Sequence, residues 1–506
     1  MRTWIGVVAT ILMTLPVMAE LQSVEVGGEL RIRAQGNINF QNSEGDTARV
    51  LIPNQAVWGR PIGASGLGSR YRFDNRGEDR HFVESQTRLH VTAKFSDEVL
   101  SFIEFEQNGR WGTDFRSNYI TGVDGPGNAD ISLLQSYIEA QNFMGLPLRI
   151  RIGRQTMKQG KGWLVGDLIS AVNAFSFDAI RATYSQNDLT IDGWMSKLTE
   201  TNSGDEDVDF YGLYGTYSGF ESISASLYWM YIRDAGSLND TNFSPGLEWL
   251  EDVFGYDDYG ATELHTVGTR IWGGFDGFDF DWELAYQFGD ASRQGFGFKP
   301  VAGIYGDDDA KFGSFGTDLE LGYTFDMAWS PRVYLGGAWF EGEDNRDIRF
   351  LDLLNPVYKS DASVSFNRLF AHTSMKYSFI LDGGQVLSNF QAVRLGIVVQ
   401  PTKKTELGFE LEQFWVDEVF DRPALLFPIL SSVWTQESDD NLGLQTSIWG
   451  HYDITSDLWV SFRWEHLFSG DAISDGNFSD RYGLQFLQGR NDDDADYVES
   501  TIGIKF

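Results

Sequence analysis

The sequence predicts an all-β fold, namely a single 18-stranded antiparallel transmembrane β-barrel of the outer-membrane kind. Three observations predict it. Apolar and polar side chains alternate in segments of about ten residues, the usual length of a strand that crosses a membrane. The connections between these segments are alternately long and short. Beyond residue 19, no apolar run approaches the roughly 20 residues that a membrane-spanning helix needs.

The alternation shows which side of each strand is apolar. In residues 278–288 every even-numbered position is aromatic or leucine, whereas the odd-numbered positions are mostly acidic or polar. In residues 148–152 leucine and isoleucine alternate with Arg149 and Arg151. Because successive side chains of a strand point to opposite faces, one face would meet lipid and the other a water-filled lumen. Taken in order, the predicted strands are 25–40, 82–95, 99–111, 131–143, 147–157, 177–186, 188–199, 207–218, 221–234, 262–274, 277–289, 314–326, 331–343, 386–400, 403–416, 440–453, 457–469 and 495–506.

The connections favour a barrel over a soluble β-sandwich. The tight connections lie at 96–98, 144–146, 187, 219–220, 275–276, 327–330, 401–402 and 454–456. The long ones are 41–81, 112–130, 158–176, 235–261, 290–313, 344–385, 417–439 and 470–494, with a shorter member at 200–206. Short periplasmic turns and long outer loops are typical of outer-membrane barrels, and a sandwich gives no reason for this rhythm. We expect the candidate strand at 369–380 to lie in a loop.

The N-terminus reads as a secretory signal. Arg2 precedes an apolar run, and small residues at Val17 and Ala19 suit cleavage after Ala19. We therefore expect a signal peptide at 1–19 and a mature barrel at 20–506. No linker or shift in composition marks a second domain.

The C-terminus has the form of an assembly signal. Phe506 ends an alternating segment and shares a face with Ile502 and Ile504. Outer-membrane barrels end in this way, and their assembly machinery recognises the pattern. We therefore expect the outer membrane of a Gram-negative-type cell as the location. The expected partners are the lipid bilayer, lipopolysaccharide and the barrel-assembly machinery.

Composition excludes several functions. The chain has 506 residues and no cysteine, so disulfides and thiolate metal sites are excluded. The formal net charge of −34 argues against a nucleic-acid partner. The six histidines show no metal-ligand spacing, so we expect neither a metal nor a cofactor. Aromatic residues make up 15% of the chain, which suits the girdles of a membrane barrel.

One stretch resembles a known family. The motif Gly153-Arg154-Gln155, the glycine-rich loop at 160–166 and the segment at 176–181 together are similar to the alginate export family of outer-membrane porins. The dense resemblance covers roughly residues 134–186. It implies a monomeric barrel of 18 strands. It further implies passive outward diffusion of an anionic polysaccharide through an arginine-rich constriction, without covalent chemistry.

Strand parity and this resemblance together identify candidate pore-lining residues. The side chains that the alternation points into the lumen are basic in much of the first six strands and acidic in much of the remainder. Arginine suits carboxylate cargo, because its planar fork binds both oxygens and stays charged. The candidates are Arg31, Arg33, Arg88, Glu104, Glu106, Arg149, Arg151, Arg154, Gln155, Asp178 and Arg181.

Two points stay open at this level. The arginines could simply neutralise Glu104, Glu106 and Asp178 within the wall. Arg154 shares parity with Ile152, so it should face lipid unless a bulge or the end of the membrane zone turns it inward.

Rival functions also remain. Within transport, the chain could be a porin for small nutrients or a barrel sheath around a periplasmic partner. From other classes, it could be a barrel enzyme acting on lipid or glycan, or an adhesin-like scaffold. Trp194, Trp449 and Trp459 have inward parity, either as stacking platforms for sugars or as filling of the wall.

Overall fold

The computed structural model shows a closed antiparallel β-barrel of 18 strands. It describes residues 21–42, 71–73, 79–113, 131–167, 175–200, 207–235, 261–290, 311–342, 363–364, 366–371, 390–418, 422–423, 435–436, 439–474 and 494–506. The predicted signal peptide at 1–19 and most of the predicted long loops lie outside these residues.

The 18 predicted strands are confirmed, with ends that differ by a few residues. They are β1 Ser23–Ile38, β2 Arg80–Lys94, β3 Val99–Arg110, β4 Ile131–Ala140, β5 Leu148–Gln155, β6 Phe177–Gln186, β7 Leu189–Thr199, β8 Val208–Tyr217, β9 Ile223–Asp234, β10 Thr262–Phe275, β11 Phe278–Asp290, β12 Lys311–Thr324, β13 Arg332–Phe340, β14 Phe390–Thr402, β15 Thr405–Val416, β16 Asn441–Asp453, β17 Leu458–Ser469 and β18 Ala495–Lys505.

Each strand pairs with its neighbour in sequence, and the ring closes between β1 and β18. The register at this seam runs from Glu29 opposite Lys505 to Ile38 opposite Asp496. The last residue completes it, because the backbone N–H groups of Gly28 and Phe506 each donate to the carbonyl oxygen of the other, at 2.9 and 3.1 Å. No strand of the ring is left with an unpaired edge, as a membrane requires.

The remaining described elements are short. They comprise the paired strands Phe40–Asn42 and Tyr71–Phe73, the pair Arg422–Pro423 and Thr435–Gln436, the strand Ser363–Val364, the 3-10 turn Phe143–Gly145 and the helix Asp471–Ser474. Ser363–Val364 runs parallel to the start of β12 and lies outside the ring of 18. Among the described residues, no helix has the length and apolar character needed to cross a membrane. Of the candidate at 369–380, residues 369–371 are described and are not a strand of the ring, and the remainder lies outside the described residues.

The two faces of the wall differ as predicted. On β14, Val393, Leu395 and Ile397 are exposed by 37% to 51%, whereas Arg394 between them is only 3% exposed. Most other exposed large apolar side chains follow the same parity along their own strands. The outer face of the barrel is therefore apolar and suited to lipid, and the polar positions face the lumen.

Tight connections define one end of the barrel. Asn187 at the β6–β7 turn and Asp276 at the β10–β11 turn have φ of 51° and 49°. Asparagine and aspartate tolerate this left-handed conformation better than most side chains, and it matches the twist of paired strands. In outer-membrane barrels such short turns face the periplasm. We call this the turn end and the opposite one the loop end.

The assignment of the exposed face to lipid predicts how a charge placed there changes the stability of the barrel. Leu395→Arg, near the middle of β14, should lower the free energy of unfolding in lipid vesicles by about 2–4 kcal/mol, because a guanidinium would face hydrocarbon. Leu395→Met is the control, with similar volume and no charge. Equal stability of the two variants in denaturant titrations would contradict the assignment of this face to lipid.

Candidate functional site

The glycine-rich segment after β5 folds back into the lumen. We call residues 156–166 the inner loop. Its side chains Trp163, Leu164 and Val165 are at most 4% exposed. The backbone N–H of Gln159 donates to the carbonyl oxygen of Val165 at 2.9 Å and closes the loop on itself. Burying these apolar side chains removes them from water and stabilises the inward position.

A second segment lies beside the inner loop. Residues 366–371 belong to the predicted long connection 344–385 and are all buried. The N–H of Phe370 donates to Leu164 O, and the N–H of Gly166 donates to Phe370 O, both at 2.8 Å. We call the inner loop and residues 366–371 together the lumen plug.

Aromatic side chains attach the plug to one side of the wall. The ring of Trp163 lies 5.7 Å from that of Phe340 on β13. The ring of Phe370 lies 5.0 Å from Phe177 on β6 and 5.0 Å from Phe210 on β8. The plug therefore packs against the wall between β6 and β13.

A lysine of the inner loop contacts acidic side chains on β11 and β12. The ammonium of Lys161 pairs with the fully buried carboxylate of Asp318 and lies 3.3 Å from Asp281 Oδ1 and 4.0 Å from Glu283 Oε2. Burial alone would lower the pKa of Lys161, but these three carboxylates outweigh it and raise that pKa above its ordinary value. The lysine stays charged at neutral and moderately alkaline pH and holds the loop across the lumen.

Two of the predicted arginines lie next to each other at the base of the loop. Arg151 on β5 is directly opposite Arg181 on β6. Like charges in this position repel. A carboxylate flanks each of them, with Arg151 Nη2 2.6 Å from Glu139 and Arg181 Nη2 2.6 Å from Asp192. The amide of Gln159 donates to Asp192, so the first part of the inner loop lies beside this arginine pair.

Arg149 differs from its neighbours. It faces the lumen two residues before Arg151, on the side of the turn end. Its Nη2 lies 3.4 Å from the hydroxyl oxygen of Thr183. Within the described residues it makes no ion pair, and neither does the exposed Lys158 of the inner loop. We call Arg149, Arg151 and Arg181 the arginine patch.

The other inward candidates are paired within the wall. The ion pairs are Arg31 with Glu29 at 2.7 Å, Arg33 with Glu84 at 2.5 Å and Arg88 with Glu106 at 2.5 Å. Glu104 Oε2 accepts from the amide of Gln135 at 2.6 Å. Gln155 is fully buried and donates to Ala179 O at 3.1 Å, so it braces the wall.

Arg154 and Asp178 lie on the outer face of the barrel. They are direct partners on β5 and β6, 3.3 Å apart, on the same side as the exposed Ile152. Two more charged side chains continue this outward-facing row. Lys197 on β7 lies opposite Asp178, and Asp209 on β8 lies 2.7 Å from Lys197. The alternation of inward and outward side chains continues through Arg154, and β5 has no bulge. The charged row lies near the loop end, where polar lipid headgroups begin.

Sequence parity alone could have identified further lumen pairs. They are Arg270 with Asp281 at 2.6 Å, Arg332 with Glu320 at 2.8 Å, Arg394 with Glu410 at 3.5 Å and Arg463 with Glu465 at 2.9 Å. In this part of the wall the prevailing acidity is offset by inward arginines. No group of three or more metal-ligating side chains occurs in the described parts of the chain.

The inward tryptophans lie flat against glycines. A Cβ placed on Gly212, Gly408 or Gly503 would overlap the rings of Trp194, Trp449 and Trp459, respectively. Trp194 is 5% exposed and packs against Phe210, so it fills the wall. Trp449 and Trp459 are half-buried, with Arg463 and Arg31 at 5.7 and 6.0 Å from their ring centroids.

Comparisons with known proteins identify one matching family and several similar solved structures. A family model for alginate export matches residues 68–483. A crystal structure of Pseudomonas aeruginosa OprD is similar, with a TM-score of 0.50, 10% identity, and coverage of 96% of this chain and 97% of that one. Pseudomonas aeruginosa OccK8 (OprE) has a TM-score of 0.49, 10% identity and coverage of 95% and 98%. Acinetobacter baumannii OccAB4 has a TM-score of 0.49, 7% identity and coverage of 97% and 100%. No curated protein is detectably similar in sequence.

The contact of Lys161 can be tested through the position of the inner loop. Lys161→Met should release the loop, because removing one member of a buried ion pair typically costs about 3–5 kcal/mol. The chain has no cysteine, so a single Leu164→Cys substitution reports accessibility to a thiol reagent. We expect fast labelling with Lys161→Met and slow labelling in the parent.

Lys158→Met is the matched control, since Lys158 makes no ion pair with the described residues, and its labelling should stay slow. If Leu164→Cys reacts at the same slow rate with Lys161→Met, the lysine does not hold the loop.

Proposed function

Because the chain belongs to the alginate export family, we propose that this outer-membrane channel passes an anionic polysaccharide or another anionic solute. The proposed passage is passive and follows the arginine patch, which forms one side of a constriction beside the lumen plug. We propose that the protein works as a monomer and without a cofactor.

One observation carries the proposal. The lumen plug occupies the side between β6 and β13, and its inner loop reaches the arginine patch through the bond from Gln159 to Asp192. A solute would pass where this loop leaves space. There it meets Arg149, which makes no ion pair within the described residues, together with the partly neutralised Arg151 and Arg181.

Ion pairing in the wall is compatible with weak anion binding. A guanidinium has five N–H donors, and one carboxylate engages only some of them. An arginine that is already paired attracts a second carboxylate less strongly than a bare one. Many weak, exchanging contacts let a charged chain advance, whereas one tight site would hold it.

The path proposed here is narrower than the sequence indicates. It keeps the inward candidates Arg31, Arg33, Arg88, Glu104 and Glu106 along with the arginine patch. It leaves out Arg154 and Asp178, which lie on the outer face, and treats Gln155 as a brace of the wall.

A porin for small nutrients is the second candidate. The plug favours it, because two inward segments leave less room for a polymer than an open lumen would. A sheath around a periplasmic protein is less compatible with an occupied lumen. A barrel enzyme would need reactive carboxylates open to substrate; of the facing pair on β11, Glu283 is buried and Asp279 is held in an ion pair with Arg332.

Two arginines on one strand provide a matched test of selectivity. Arg149→Gln should lower the anion-to-cation permeability ratio by about fivefold, since removing one charge near the path changes the energy difference between an anion and a cation in the lumen by about 1 kcal/mol. Arg154→Gln removes the same charge from the outer face and should leave the ratio unchanged. Reversal potentials of the purified channel in a salt gradient measure both.

A parent channel that prefers cations, with no change on Arg149→Gln, would overturn the anionic assignment. Raising the salt concentration should reduce the effect of Arg149→Gln, because mobile ions in a water-filled lumen screen the field of a half-buried charge.

A further inference from the structure

Four charged side chains lie side by side on the outer face of the barrel, at the loop ends of β9 to β12. They are Arg233, Glu263, Asp290 and Lys311, and we call them the outer charge row. Arg233 is directly opposite Glu263, and Asp290 is directly opposite Lys311. Gly289 lets the two middle members adjoin, because its φ is 132° and a Cβ there would overlap the carbonyl oxygen of Glu263.

The alternation of side chains places the outer charge row on the lipid side of the wall. Asp290 points the same way as Phe288, which is exposed on the outer face. The residues next to the other three members are at most 3% exposed and point inward; they are Ile232, Leu264 and Phe312. Charges are costly at the centre of a bilayer and tolerated near its surface. The row therefore lies at the level of the lipid headgroups.

The outer charge row is not neutralised by its own members. Within the described residues, none of the four makes an ion pair with another side chain. Farther along the same level of the barrel the charges are paired, since Lys197 lies 2.7 Å from Asp209. The row thus leaves two basic groups and two carboxylates for a ligand from outside the wall.

Aromatic rings lie directly beneath the row, one outward position closer to the membrane centre. Tyr231 stacks on His265 with centroids 4.4 Å apart, and His265 stacks on Phe288 at 5.0 Å. Amphipathic rings favour the depth where headgroups meet hydrocarbon. The surface therefore presents charge at the headgroup level and flat apolar faces just below it.

We propose that the outer charge row docks the headgroup of lipopolysaccharide, a disaccharide with a phosphate at each end and acyl chains below. Because neighbouring strands are about 4.8 Å apart, Arg233 and Lys311 are separated by roughly 14 Å, which such a headgroup can span. Each basic side chain would bind one phosphate. Glu263 and Asp290, between them, would hold a divalent cation that the phosphates share.

Position and charge both favour this ligand. The loop end of an outer-membrane barrel faces the outer leaflet, whose main lipid is lipopolysaccharide. Among the described side chains of the ring, outward lysines and arginines near the loop end occur only on β5 to β12. On the opposite side the outward charges include Asp417 and Asp496. Lipopolysaccharide would therefore be held on one side of the barrel, whatever solute the lumen passes.

The test measures binding of lipid A to the full-length barrel in detergent with Mg²⁺ present, by native mass spectrometry. The parent should bind diphosphoryl lipid A several-fold more tightly than the monophosphoryl form. Arg233→Gln combined with Lys311→Gln should weaken binding of the diphosphoryl form by about tenfold, the loss expected for two exposed charge contacts. Chelation of Mg²⁺ should weaken binding to the parent but not to a variant with both Glu263→Gln and Asp290→Asn.

Lys403→Gln combined with Lys404→Gln is the matched control. These exposed lysines lie in the β14–β15 turn, so the same charge is removed at the turn end, and binding should not change. Arg233→Lys combined with Lys311→Arg keeps both charges and should retain binding.

An unchanged single-channel conductance would show that the variants are folded, because the outer charge row lies outside the lumen. Undiminished binding of diphosphoryl lipid A to the Arg233→Gln, Lys311→Gln variant would overturn the proposal. An equal loss with the turn-end control would also overturn it, because net charge alone would then attract the lipid. Equally tight binding of cardiolipin would overturn the assignment to lipopolysaccharide. None of these outcomes bears on the solute that the channel passes.

Discussion

The closed ring of hydrogen bonds is the constraint on which everything else depends. In a bilayer no water is present to satisfy backbone groups, so every strand must pair on both sides. The seam between β1 and β18, completed by Gly28 and Phe506, provides the last of these pairings. Closing 18 strands also leaves an interior wider than wall side chains can fill. The lumen plug follows from this, since two segments of the chain occupy part of that space.

Charge in the lumen is organised by neighbouring strands. Guanidinium and carboxylate groups alternate around the wall, so most arginines are paired with acids on the next strand. Removing one partner would leave a charge poorly compensated in a partly buried setting. Such a wall presents local regions of each sign. The arginine patch is positive because Arg149 adds a charge beyond the two pairs of Arg151 and Arg181.

The sequence was sufficient for the ring and its parity but not for the plug. Alternation is enforced by lipid on one side and water on the other, which is why all 18 strands follow from it. Arg154 and Asp178 were wrong as pore-lining candidates, because the parity that points Arg154 outward holds to the end of β5. The sequence of the inner loop has no such alternation of apolar and polar residues. Lys161 meets Asp318 across 157 positions of sequence, and no local pattern encodes that contact. The apolar run from Trp163 to Val165, in a loop expected to face water, was the available signal.

Because two inward tryptophans lie flat against the wall, the width of the lumen depends on the glycines beside them. Trp449 lies against the wall because Gly408 beside it offers a bare backbone, and Trp459 uses Gly503 in the same way. Even a methyl group at either glycine would tip an indole ring toward the axis. Related channels could therefore differ in pore width through substitutions at these glycines alone, with the tryptophans and the strand pairing unchanged.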